Sequence, residues 1–105
     1  MKKVEFNPIK SNIEMPNGLQ WYDRNLYIID QKTDNVFIIN EDGKLIEEFS
    51  SLCENGSGIT VGDNFLWVAS NGITEARPFR GSDTHISWIL KIDMVTKELI
   101  LSLIH

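Results

Sequence analysis

Gly18 to Asp30, GLQWYDRNLYIID, returns without a gap at Gly58 to Ser70 as GITVGDNFLWVAS. The offset is 40 residues: Gly18/Gly58, Asp23/Asp63 and Leu26/Leu66 are identical, and Leu19/Ile59, Trp21/Val61, Tyr27/Trp67 and Ile28/Val68 are matched in kind. Self-similarity at such a period is the signature of a repeat architecture. Each copy has two short apolar runs around a polar turn, Asp23-Arg24-Asn25 or Gly62-Asp63-Asn64, and therefore reads as an antiparallel hairpin.

Beyond the first hairpin, Gln31 to Asp34 leads into a third strand at about Asn35 to Asn40. Glu41-Asp42-Gly43 then turns into a fourth that continues to about Phe49. Gly43 is expected in the left-handed region of a bulged hairpin turn. The second copy follows the same plan with one change. Val36 to Asn40 corresponds to Ile89 to Asp93 at an offset of 53, so 13 residues have been added, all within Asn71 to Ser87. Its closing turn, Asp93 to Lys97, has Lys97 where glycine would be usual, and the last strand runs from Glu98 to Leu103.

Leu26 to Ile29 has no polar alternation, which calls for burial of both faces. No segment has a 3.6-residue apolar period long enough to supply covering helices, so sheets must cover sheets. The expectation is an all-β fold of two four-stranded antiparallel β-propeller blades. Residues 1–15 form a lead-in strand around Val4 to Phe6, 16–54 the first blade, and 55–105 the second, with an inserted loop at 72–86. Closed propellers have about four to eight blades. The chain is thus expected to be the N-terminal piece of a larger propeller, a unit that completes a ring by self-association or, third, a free-standing two-blade sandwich.

The stretches PNGLQWYDRNLYIIDQKTDNVFIINEDGKLIEEF, GITVGDNFLWVAS and ILKIDMVTKELI resemble blades of the broad propeller group that includes NHL-repeat proteins, the senescence-marker/gluconolactonase family and YncE-like proteins. The resemblance covers roughly Pro16 to Leu103. It rests on the glycine that opens the first strand, the L-[YW]-[IV] core of the second, and I-[ND] before the last turn. These cues specify a fold and no activity. In gluconolactonase-like enzymes a calcium ion is held near the channel mouth, its first ligand a Glu just before the corresponding glycine. Here Asn17 and Ser57 stand at those positions, and calcium prefers several oxygens with carboxylate charge. A calcium-dependent lactonase or esterase is the alternative that the resemblance implies, with most of its catalytic residues beyond this chain. No cofactor or metal ligand is otherwise expected, and no catalytic residue is assigned.

Composition is that of a globular domain, 42% hydrophobic and 24% charged. The net charge of −5 argues against duplex nucleic acid or an anionic membrane as a partner. No run of about 18 apolar residues occurs, and Glu5, Asn7 and Lys10 interrupt the start where a signal peptide needs an apolar region. Cys53 is the only cysteine, which suits a reducing compartment, and the cytoplasm is the expected location.

The connections from second to third strand, and from one blade to the next, return to the same rim, and long loops on a rigid scaffold are where binding residues gather. The candidate ligand-binding residues on this rim are Asn17, Asp30, Gln31, Asn71, Arg77 and Arg80. Arg77-Pro78-Phe79-Arg80 carries two guanidinium groups on a stiff segment, a pattern suited to a carboxylate or phosphate. The ligand is expected to be a small anionic molecule or a partner protein. Pairing of the same arginines with Glu75, Asp83 or acids of the neighbouring blade remains open. His85 has no nucleophile or acid placed around it, Cys53 reads as a buried, unreactive thiol, and Trp21, Trp67 and Trp88 read as core. Little apolar area pins the insertion, so its tip, Thr74 to Thr84, is expected to exchange amide protons rapidly.

Overall fold

The structure is a computed structural model and describes residues 11–104. It has eight strands and, among the described residues, no helix. These are β1 (Pro16–Tyr22), β2 (Asn25–Asp30), β3 (Asn35–Asn40) and β4 (Leu45–Ser50), followed by β5 (Gly56–Gly62), β6 (Phe65–Ser70), β7 (Trp88–Asp93) and β8 (Leu99–Ile104). They form two four-stranded antiparallel sheets in plain meander order. The apolar stretch Val4 to Phe6, read as a lead-in strand, lies outside the described residues.

The repeat extends to the irregularities. Register shifts fall between Pro16 and Gly18 and between Gly56 and Gly58, and again at Ile38/Ile39 and Lys91/Ile92. Each opening hairpin closes through two left-handed residues, Asp23 and Arg24 (φ 48° and 66°) or Asp63 and Asn64 (51° and 66°). Two such residues twist the turn in the same sense as the strands they join, so the hairpins do not splay. Gly43 takes the left-handed position in the β3–β4 turn, at φ 82°. In the longer β7–β8 turn Lys97 does so at φ 64°. Its ammonium lies 3.1 Å from Glu47 and 4.5 Å above the Phe49 ring of the first sheet. Those contacts with β4 offset the strain of a side chain in that region.

The sheets pack face to face, with β1 and β2 against β5. Between them lies one apolar cluster: Tyr27, Ile29, Val36 and Ile38 from the first sheet, Val61, Leu66, Val68, Leu90 and Ile92 from the second, with Cys53 at the link. Close approach depends on Gly18, whose absent Cβ would sit 2.7 Å from the Ser57 carbonyl oxygen and 3.3 Å from Gly58 Cα. Two residues further along β1, the Gln20 side-chain amide accepts from the Val61 N–H (2.9 Å) and donates to its carbonyl (3.1 Å). A side chain thus satisfies backbone groups at the free edge of β5, which would otherwise be unpaired.

Two expectations about burial need correction. In β2, Tyr27 to Asp30 are all buried, but in β6 only Leu66 and Val68 are, while Phe65, Trp67 and Ala69 are half-exposed. Among the described residues the second sheet has a layer on one side only. Trp21 is not core: it lies on the face of the first sheet turned away from the second and is 56% exposed.

Candidate functional site

Chain topology brings three connections to one end of the paired sheets: the β2–β3 turn, the β4–β5 link and the insertion between β6 and β7. Asp34, left-handed at φ 63°, joins the first two. Its carbonyl accepts from Ser51 N–H (2.9 Å) and its carboxylate from Asn55 N–H (3.0 Å).

The insertion is fastened onto this corner by Arg77. Its Nε donates to the Gln31 carbonyl (3.0 Å), Nη1 to the Pro78 carbonyl and Asp83 (2.9 Å each), and Nη2 to Asp83 (3.0 Å) and Asp34 (3.3 Å). All five N–H groups have acceptors, and the side chain is 1% exposed. Asp83, itself 2% exposed, accepts from both Arg77 nitrogens and from Arg80 N–H (2.9 Å). Bonding to Arg77 and to the Arg80 backbone holds its carboxyl down at about 2, well below the ordinary aspartate range. Arg80 reaches the same Asp34 oxygen at 2.7 Å but remains 40% exposed.

A second fastening lies on the returning arm. Glu54 accepts from Thr84 N–H (2.9 Å), from the Thr84 hydroxyl and from His85 N–H (3.0 Å), while Trp88 Nε1 donates to that hydroxyl (3.1 Å). Burial pushes the Glu54 carboxyl up, but the bonds from Thr84 and His85 outweigh it and leave the group below its usual value. The His85 ring stands edge-on to Phe79, with centroids 4.3 Å apart.

The other rim residues have equally definite places. The Asp30 carboxylate is buried and accepts from Glu14, Met15 and Lys32 N–H groups at 2.9, 2.9 and 3.0 Å. Burial alone raises its pKa, and the backbone bonds reverse this to a net lowering. Asn17 donates to the Gln31 side-chain oxygen at 2.7 Å. Gln31 Nε2 is buried with no partner among the described residues, as is Asn55 Oδ1. Asn71 is exposed, its N–H directed to the Asn55 carbonyl at 3.3 Å. Asn17, Asp30, Gln31, Arg77 and Arg80 are joined through Gln31 and Asp34, and Asn71 reaches the same group only through the Asn55 backbone.

Two clefts adjoin this corner. One, of about 310 Å3, is lined by Glu14, Lys32, Arg77, Pro78, Phe79 and Arg80. The other, of about 370 Å3, opens between the outer strands of the two sheets, with Leu52, Trp88, Leu90 and Leu99 as walls and Asp34, Glu54 and Asp83 at its rim. Cys53 lines the second cleft too, but burial pushes its thiol up to about 12, so it stays protonated and unreactive.

Asp34, Glu54, Lys32 and Phe79 were not singled out from the sequence. The weak signal for Asp34 is its place at the end of a tight turn, where aspartate tolerates the left-handed region. Its union with Arg77 depends on tertiary packing. Among the described residues no three His, Cys, Asp or Glu side chains are grouped to hold a metal ion. At the two positions where the resemblance would place metal ligands, Asn17 bonds Gln31, and the Ser57 hydroxyl points to the Ala69 carbonyl at 3.5 Å. Among the described residues no helix is long and apolar enough to cross a membrane. No protein-family model matches the chain, and no curated protein matches it.

Proposed function

We propose that the chain is a pair of β-propeller blades that works by binding, and that its rim takes a small anionic molecule in the cleft between Lys32 and Arg80. The blade reading is supported by two meander sheets that repeat turn for turn and bulge for bulge, and that pack through their first strands. The ligand reading rests on one observation: Arg80, 40% exposed and anchored by a single side-chain bond to Asp34, lines a cleft with Phe79 and with Lys32, whose ammonium pairs loosely with Glu14 at 3.5 Å. An oriented guanidinium has lost part of its rotamer freedom before a ligand arrives, which lowers the cost of binding. Phe79, 57% exposed, offers an apolar wall beside the two cations. Arg77 takes a different role from the one its sequence context suggested. With every donor engaged internally, it supports the site and has none to offer a ligand.

Calorimetric titration with inorganic phosphate and with phenyl phosphate tests this reading. Phenyl phosphate should bind more tightly than phosphate, and Phe79→Ala should remove that preference. Loss of a charge-assisted bond is worth about 1.5–3 kcal/mol, so Arg80→Ala should weaken either anion roughly tenfold or more. Equal affinities for the native chain and Arg80→Ala would overturn the assignment. The calcium-dependent lactonase implied by resemblance gains no support from the described residues.

A further inference from the structure

The repeat predicts what covers the open side of the second sheet. The operation that carries the first sheet onto the second also carries the buried face of the first onto the open face of the second. Gln20, Tyr27, Ile29, Val36 and Ile38 face the second sheet; their counterparts are Thr60, Trp67, Ala69, Ile89 and Lys91, joined at the outer strand by Leu101 and Leu103. The surface which that face is shaped to meet is also on this molecule. It is the far face of the first sheet, the counterpart of the buried side of the second: Ile28 and Phe37 on it are already buried, with Ser11 to Ile13 beside its β3–β4 half, but its β1 edge exposes Leu19 (64%) and Trp21 (56%).

We propose that the open face of the second sheet docks onto the exposed β1 side of the first sheet in a second copy of this chain, head to tail. Four observations support it, independently of the ligand reading. The patch is apolar: Leu101 and Leu103 remain 43% and 44% exposed beside Trp67 and Ile89. Such contiguous surface is uncommon on a monomer. Second, Gly58 has no packing reason among the described residues. A Cβ there would meet nothing nearer than Ala69 Cβ at 3.7 Å, whereas its counterpart Gly18 is required by the close approach of Ser57 and Gly58. A neighbour arriving as β5 arrives on β1 would bring its own Asn17 and Gly18 against Gly58 and give that glycine the same purpose.

Third, Thr60 lies where Gln20 lies in the first sheet, opposite the Trp21 backbone of the incoming copy, so a polar side chain is again available to a strand edge. Fourth, Lys91, the charge on the open face, lies 4.0 Å above the Phe65 ring and 5.5 Å from that of Trp67. It would stay on aromatic surface after docking. The contact is heterologous, so it closes into a ring or extends as a chain according to the rotation per copy.

Sedimentation of the full chain over a concentration series tests the proposal. The native chain should form species larger than a dimer as concentration rises. Leu101→Glu on one face, or Trp21→Glu on the other, should each abolish them. Mixing these two variants should restore a single intact junction and give a heterodimer that grows no further. Gly58→Ala should weaken association while leaving the melting temperature unchanged at concentrations low enough for both chains to be monomeric, which separates a docking role from a folding one. A native chain that stays monomeric, variants that still associate alone, or a mixture that does not pair would each overturn it.

Discussion

The two sheets share one plan but differ in the second-to-third strand connection, and the difference shows how a repeat takes on an insertion. In the first sheet the connection is a tight turn, with the Asp30 carboxylate collecting three backbone N–H groups. In the second, the Ser70 hydroxyl takes the Asp30 position, accepting from Trp88 N–H at 2.8 Å and donating to the Ile86 carbonyl at 3.2 Å. The strands on either side keep their register. What lies between them is held from the other sheet: Arg77 by Gln31 and Asp34, and Thr84 and His85 by Glu54 at the link. The insertion therefore ties the repeats together, and it does so with buried polar groups where a core would use apolar ones.

Removing that tie should have the largest effect. Arg77→Ala leaves the Asp83 carboxylate buried without its cation and Asp34 with Arg80 alone, a class of change that costs about 3–5 kcal/mol. Chemical denaturation should show the loss, and Arg77→Met with Asp83→Leu should recover part of it. A cost below about 1 kcal/mol, the level of an exposed pair, would mean that the cluster is solvated and the sheets are held by the apolar interface alone.

The same residue at equivalent positions separates the faces of the two sheets. Leu66 lies between the sheets and is fully buried, whereas Leu26, its repeat partner, is half-buried on the far side of the first sheet. Leu66→Ala should cost about 2–5 kcal/mol and Leu26→Ala clearly less, both read from unfolding curves. Equal costs would mean that the far face of the first sheet is as well packed as the interface.

The glycine pair offers a smaller contrast. A methyl group at Gly18 would run into the backbone of Ser57, and Gly18→Ala should destabilise by about 1–3 kcal/mol, the usual range for overpacking. Gly58→Ala should leave stability of the monomer near its native value.

The smallest effect is the dependence on acid. Asp83 is held at about 2 in the folded chain, below the ordinary aspartate value of 3.8. Its contribution is therefore fully present above the unfolded value and is lost as pH falls through the folded one. Melting temperature should drop between about pH 4 and 2, and Asp83→Asn should flatten that part of the curve.

The fold was largely legible because a repeat counts the same evidence twice. GLQWYDRNLYIID and GITVGDNFLWVAS each indicate a hairpin, and their common period places all eight strands within a residue or two. Local rules also suffice for Gly43 and for the tight turns. What the pattern of Leu26 to Ile29 does not tell is which face has a neighbour, since burial of both faces of β6 requires a layer that the described residues do not supply. The site was legible in composition and not in connection. Arg77 and Arg80 stand out by type, and pairing with Asp83 is within reach of the loop. Asp34, 43 residues away in sequence, meets Arg77 only after the sheets have stacked. The apolar poverty of the insertion suggested a loose tip, because a count of apolar groups takes no account of ion pairs.

Native-state amide exchange tests most directly whether the insertion is built into both sheets. Arg80 and Asp83, which bond within the tip, and Thr84 and His85, which bond Glu54, should be protected in the native chain and follow Leu66 and Val68 in β6. Arg77→Met should strip protection from the tip first. Exchange of these four amides at unfolded-chain rates in the native protein, with β6 fully protected, would contradict the account.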